Sequence, residues 1–455
     1  DVYNVAIGYY AGRLVTTGAE NVLIGGLAGD ALTTGEKNTA IGTQTLGTED
    51  TGSRNIAIGY WALKNLNYDG AAYNVAIGYQ AATTLTTGVY NTIIGGLAGT
   101  NLTTGNYNVA LGMQALEAED AHGYNTAIGF EALKTLNAGA NAFNVALGFQ
   151  AARLMSTGTN NTIIGSYAGD ALTTGVNNVA IGRSALSSED AHGYNTAIGA
   201  YALLSQDAGA DAHNTAVGYA TGQAITTGAY NTMIGAYTGD ALTTGADNVA
   251  MGYAALSTED AHGKNVAIGN YALQDQDAGA DAYNVAVGYN AGKEITTGHD
   301  NVLIGGKAGD ALTTGSDNVA IGKNALNTET EYGRNVAVGK SALNTQNAGA
   351  NAYNVAIGYE AGLSVTTGVQ NTIIGGLAGD ALTTGQRSVA VGYLALSTET
   401  GSDRSVAIGA EALKNQNVGS SNAYNVAVGD SAGEEITSGT LNTIVGGLAG
   451  DALTT

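Results

Sequence analysis

Asn4-Val5-Ala6-Ile7-Gly8 is the first of twenty-six copies of one five-residue pattern in a chain of 455 residues. With Asn at position 0, +1 is Val, Ile or Thr, +2 is Ala or a larger apolar residue, +3 is Ile, Val, Leu or Met, and +4 is always Gly. Ser replaces Asn only at Ser388 and Ser405. The copies lie 17, 17, 17 and 19 residues apart in a cycle of 70, from Asn4 to Asn74, Asn144, Asn214, Asn284 and Asn354, and the cycle that ends at Asn425 has 71. A fixed period near 20 residues marks a solenoid, in which each repeat is one coil resting on the next.

The expected fold is all-β, a parallel β-solenoid of about 26 coils in a four-coil super-repeat. The chain reads as one continuous array, with super-repeats at about 4–73, 74–143, 144–213, 214–283, 284–353 and 354–424 and a partial one at 425–455. Neither end carries a distinct cap, so the array reads as a fragment of a longer fibre. Coils spaced as paired strands, about 4.8 Å apart, would make a rod of about 125 Å.

Within a coil, side chains of a strand alternate faces, so +1 and +3 point one way and Asn and +2 the other. The branched residues at +1 and +3 are expected to stack on their copies, and Gly at +4 to turn the chain where a Cβ would not fit. Ala at +7 is expected to begin a second short strand. The repeating framework is set by Asn4, Gly8, Asn21, Gly25, Asn38, Gly42, Asn55, Gly59, Asn74, Gly78 and their later copies. Asn at coil spacing can form a hydrogen-bonded ladder that also satisfies backbone groups at the corner.

Position +2 varies with the coil. It is Ala in three coils of each cycle but Leu23, Ile93, Ile163, Met233, Leu303, Ile373 and Ile444 in the second. If +2 faces away from the coil's own core, these residues need cover, and the simplest cover is another copy of the chain. The expectation is self-association through them, with three chains about one axis.

Composition narrows the function. Gly is 69 residues and Pro is zero, which excludes collagen and Pro-rich linkers and leaves every residue a backbone N–H for a ladder. A net charge of −22 with only 16 Lys and Arg argues against nucleic acid and against adhesion to anionic lipid. No apolar run has the length a bilayer demands, so no membrane insertion is expected. Cysteine is absent, which removes disulfides and thiolate metal sites.

The pattern Asn-Val-Ala-Ile-Gly-x-x-Ala resembles the head repeats of YadA-type trimeric autotransporter adhesins. It is similar also to the longer repeats, closing in Thr-Thr-Gly, of phage tail fibres. The likeness runs through the whole chain, although adhesin head repeats are shorter and no stalk, anchor or chaperone segment accompanies this array. The resemblance implies a left-handed parallel β-roll, three chains intertwined or side by side, and an extracellular setting on a virion tail fibre or a bacterial surface.

The first and second coils of a cycle close in Thr-Thr-Gly or a near copy, the fourth in a longer Ala- and Gly-rich loop, and the third in an acidic turn. Three of these turns hold the weak metal candidates Glu119, Asp120 and His122; Glu189, Asp190 and His192; and Glu259, Asp260 and His262. Successive turns are about 19 Å apart by strand spacing, too far to share an ion, so the expectation is a solvated turn with no metal and no cofactor. The Thr columns raise ice binding, and aromatic pairs such as Tyr3 and Tyr9, Tyr73 and Tyr79, and Phe143 and Phe149 raise sugar stacking. No catalytic residues are expected, because no nucleophile-elbow signature or deep pocket is in view.

The functional expectation is a structural shaft or head segment of a homotrimeric fibre, giving length and stiffness for attachment to a host or surface. A receptor or glycan would be met by a segment outside these residues. The alternatives are a repetitive carbohydrate- or ice-binding surface and an end-to-end polymerising filament.

Overall fold

The computed structural model describes residues 2–455. It divides into two units, one running to Ala229 and one from Tyr230 to Thr455. The first holds thirteen strands, from β1 (Val5–Ile7) to β13 (Thr215–Val217), and the second thirteen more, from β14 (Thr232–Ile234) to β26 (Thr443–Val445). Each strand is three residues long and occupies positions +1 to +3 of one motif. Within each unit every strand pairs in parallel with the strand of the next coil and without slip, as Val5 with Val22, Ala6 with Leu23 and Ile7 with Ile24, and likewise Thr232 with Val249. No helix occurs among the described residues. Each unit is therefore a parallel β-solenoid, one coil per motif.

Gly at +4 is required twice over. Gly95 has a φ of +142°, and a Cβ there would lie 2.3 Å from the carbonyl oxygen of Gly112 in the next coil. A side chain would meet strained backbone and a collision together, so the corner admits Gly alone.

The strand faces are the reverse of the sequence expectation. Asn and +2 point into the coil's own core, while +1 and +3 look outward and stay partly exposed. Leu23, Ile93, Ile163, Met233, Leu303 and Ile373 are at most 1% exposed and Ile444 7%, all within one chain. None of them is free to pack against another copy. The coil interior is too narrow for two rows of branched side chains, so the small residues face in and the branched ones cover the outside of the sheet. The second strand expected at +7 is also absent: residues after Gly form turns, with left-handed backbone at +6 and +8, as at Gln44 (φ 51°) and Leu46 (φ 50°). Those two bends curl the chain too tightly for extended pairing.

Core volume is shared between +2 and +8. Second coils carry the large +2 residue and Gly at +8: a Cβ on Gly29 would sit 2.9 Å from Leu23, and one on Gly169 3.3 Å from Ile163. Third and fourth coils reverse this, with Ala40 and Ala57 at +2 and Leu46 and Leu63 at +8, all buried. In these coils one large side chain fills the same space from either side. First coils have small residues at both positions, as Ala76 and Ala82, and side chains of the adjoining coils reach into them: a Cβ on Gly292 would lie 2.6 Å from Leu303 and 3.1 Å from Leu273. Position +11 supplies another inward column, with Leu32 and Leu66 fully buried.

The Asn ladder is present in both units. The backbone N–H of Asn21 donates to Asn4 Oδ1 at 2.8 Å, and Asn21 Nδ2 donates to that oxygen at 3.1 Å and to the Gly35 carbonyl at 2.9 Å. In the second unit Asn301 and Asn284 repeat the arrangement. Each amide thus ties its own corner to the coil on either side and leaves few buried polar groups unpaired. Where Ser388 stands, Ser405 N–H donates to its hydroxyl at 3.4 Å, a weaker rung.

Candidate functional site: the acidic corners

The third coil of each cycle places a glutamate at +11, in the column that is Leu one coil earlier. Glu49, Glu119, Glu189, Glu259, Glu329 and Glu399 are all fully buried. Glu119 follows Leu102 and precedes Leu136 in that column, both themselves buried. The expectation of a solvated turn therefore fails for its first residue. The turn itself lies at the surface, but its glutamate points into the coil interior, preceded in its column by a buried Leu and followed by a buried Leu (Leu66, Leu136) or Gln (Gln206, Gln276, Gln346, Gln416).

What holds the carboxylate there is backbone. Glu49 Oε1 accepts the Gly52 N–H at 2.6 Å, and its Oε2 accepts the Tyr68 N–H of the following loop at 3.2 Å. Glu119, Glu189, Glu259 and Glu399 accept the N–H of the residue three further on at 2.9 to 3.1 Å, and Glu329 does so at 3.3 Å. Glu399 gains a further donor, Gln416 Nε2 at 3.0 Å. The glutamate closes the acidic turn from within, as Asn closes the main corner. Burial nevertheless disfavours its charge: desolvation pushes the Glu49 carboxyl from its ordinary 4.5 to about 7, and it raises Glu119, Glu259 and Glu329 as well.

In three corners a histidine stands at the end of the turn. His122 Nδ1 is 3.5 Å from Glu119 Oε1, His192 Nδ1 3.4 Å from Glu189 Oε1, and His262 Nδ1 3.5 Å from Glu259 Oε1. With Asp120, Asp190 and Asp260 they form triplets whose ligand atoms lie within 4.8 Å of one another. Each Nδ1 is buried without a hydrogen-bond partner, as are Glu119 Oε2 and Glu189 Oε2. The sequence marked these residues, but not that the glutamate is internal. The signal was there: Glu occupies the slot filled by Leu32 and Leu102 one coil earlier.

The other candidate surfaces are less open than their residues promised. In the Thr-Thr-Gly corners the first hydroxyl is engaged by the next coil: Thr33 Oγ1 donates to the Asp50 carbonyl at 3.0 Å, and Thr86 Oγ1 to that of Thr103 at 3.1 Å. Tyr73, Tyr90, Tyr107, Tyr124 and Phe143 form one stack with centroids 5.1 to 5.5 Å apart. Their faces are turned on one another and their edges on solvent, which is the wrong presentation for a sugar ring. Elsewhere a cation covers the first-coil ring, as Arg334 covers Tyr353 and Arg404 covers Tyr424. No pocket opens among the described residues, and none of their helices is long and apolar enough to cross a membrane, there being no helix. Scans of protein-family models and of curated proteins found no match to this chain.

Proposed function

We propose that this chain is a structural shaft or head segment of an extracellular homotrimeric fibre, of the kind found on phage tails or bacterial surfaces, and that length and stiffness are its contribution to attachment. The observation that carries the reading is the outward strand face. A column of apolar residues at +3 runs along each unit, with Leu111 41%, Leu147 43%, Ile304 38% and Ile408 39% exposed, beside a column at +1 in which Val and Ile are interspersed with Thr. A repeating face of this kind is costly to leave in water and fits a like face on another copy. The resemblance of the Asn-Val-Ala-Ile-Gly-x-x-Ala pattern to trimeric fibre repeats supports the number three and the setting outside the cell. A receptor or glycan is then bound by a segment beyond these residues, and the chain performs no catalysis.

The test is the native mass. Sedimentation equilibrium is expected to give three times the 45.4 kDa of one chain. Ile304→Lys with Ile408→Lys, both on the outward face, is expected to shift the mass toward one chain while the β circular dichroism persists. A wild-type particle of one chain's mass, or a variant that stays assembled with lysines on this face, would overturn the reading.

A further inference from the structure

We propose that each of the three His-bearing corners, Glu119-Asp120-His122, Glu189-Asp190-His192 and Glu259-Asp260-His262, binds one first-row divalent transition cation of the zinc type. The spacing between cycles forbids one ion shared by two corners, but it does not bear on one ion per corner. Two donors on a tetrahedral zinc, with metal–ligand bonds of about 2.0 to 2.1 Å, stand roughly 3.4 Å apart. The Nδ1 to Oε1 separations are 3.5, 3.4 and 3.5 Å. That distance is too long for a good hydrogen bond and right for two ligands of one ion.

A second observation is independent of spacing. His Nδ1 is buried and unpartnered in all three corners, and Glu119 and Glu189 each keep a buried, unpartnered Oε2 on a side chain with no exposure. Unpaired buried acceptors are rare because each forfeits its hydration without return. A cation engaging the carboxylate and the imidazole lone pair removes that deficit, and it offsets the negative charge of a glutamate placed in the coil interior. The unpartnered carboxylate oxygen is not confined to these corners, since Glu329 Oε2 is buried and unpartnered in a turn without histidine, and Glu49, Glu329 and Glu399 close their turns without one. What sets the three corners apart is the orphaned imidazole Nδ1 beside the carboxylate. Asp and His come together only where both occur, because Thr330 and Thr400 replace Asp in two of the other corners and Gly52 follows the Asp50 turn without His. One imidazole nitrogen with two carboxylates favours zinc, cobalt or nickel over calcium or magnesium, and three protein ligands leave a position for water.

The experiment uses the full chain, stripped with a chelator and titrated with Zn²⁺ by calorimetry, and with Co²⁺ by its visible absorption. Three equivalents per chain are expected. His122→Ser, His192→Ser and His262→Ser together are expected to abolish uptake, and His192→Ser alone to reduce it from three to two. Serine is chosen because Ser402 stands at that place in a native corner. Should the triple variant fail to fold, a gain decides: Thr330→Asp with Tyr332→His, in a corner that already has Glu329, is expected to raise uptake from three equivalents to four. Absence of specific uptake by the wild type, uptake unchanged by loss of the histidines, or a folded double variant that stays at three would each overturn the proposal. None of these results depends on how many chains make the particle.

Discussion

Ile163 and Gly169 test the claim that +2 and +8 fill one space. Ile163 is fully buried, and a Cβ at Gly169 would meet its Cδ1 at 3.3 Å and its Cγ2 at 3.5 Å. Ile163→Ala removes three carbons, about 2.4 kcal/mol at 0.8 per buried methylene. The cavity left behind brings the loss to about 3 to 4 kcal/mol. Gly169→Leu alone overfills the same space and is expected to cost about 1 to 3 kcal/mol. Together they recreate the neighbouring third coil, where Ala180 and Leu186 are both buried and Leu186 holds a φ of 52°, close to the 49° of Gly169. The double variant is therefore expected within about 1 kcal/mol of the wild type, at least about 3 kcal/mol better than the sum of the singles. Urea unfolding of the full chain measures the cycle, and amide exchange at Thr162–Ile164 shows where stability was lost. Additive singles would mean that the two positions do not share a space, and a harmless Ile163→Ala would return +2 to the outside of the coil.

Other expectations follow from the same columns. Gly95→Ala puts a Cβ 2.3 Å from a carbonyl oxygen at a φ of +142°, and it is expected to open the ladder locally, seen as lost exchange protection at Thr92–Ile94. Asn161→Ala removes the acceptor of the Asn178 N–H at 2.9 Å and the donor to Gly175 at 2.8 Å; at about 1 to 1.5 kcal/mol per bond it is expected to lower stability by about 2 to 3 kcal/mol in urea, and Asn161→Ser by less. Glu49 has a folded pKa raised from 4.5 to about 7, so the folded chain holds its proton more tightly than the unfolded one. Its contribution is complete below 4.5 and is lost as pH rises through about 7, a change of about 3 kcal/mol. Stability in urea is thus expected to fall between pH 5 and 7.5, and the fall to be smaller by that amount in Glu49→Gln. An equal slope in the variant would place the effect elsewhere.

The spacing of the motifs carried the solenoid almost whole, because a coil that rests on identical coils can accept only a fixed length and a corner only Gly. What misled was hydrophobicity. Branched residues at +1 and +3 look like a core and Ala at +2 like a surface, and in a globular sheet that reasoning is sound. Here the coil is so small that its inside is lined by Ala, Asn and a pair of larger side chains, as Ala40, Asn38, Leu46 and Glu49 show. Substitution along the array held the answer: Thr39, Ile56 and Val75 succeed one another at +1, a freedom between hydroxyl and methyl that a packed interior does not grant. Among the second, third and fourth coils the buried slots change in concert, Leu at +8 appearing where +2 falls back to Ala, and in first coils both slots are small.

The acidic corners were hidden by the same error of facing. A run such as Glu119-Asp120-Ala121-His122-Gly123 has the composition of a wet loop, and for Asp120 and His122 that is roughly what it is. Its glutamate is inward because the coil must place some side chain at +11, and in this coil the turn that follows has its backbone N–H groups aimed into the core with no strand to receive them. A leucine there would fill the volume and leave the His122 N–H without a partner, whereas Glu119 fills it and accepts that bond at 3.1 Å. The burial that raises its pKa is therefore a consequence of closing the turn, and six such carboxylates recur because six cycles have the same turn to close. A histidine added at the surface end of three of them brings a second unpaired acceptor to a charge already committed to the interior, and that pairing turns a structural device into a candidate metal site.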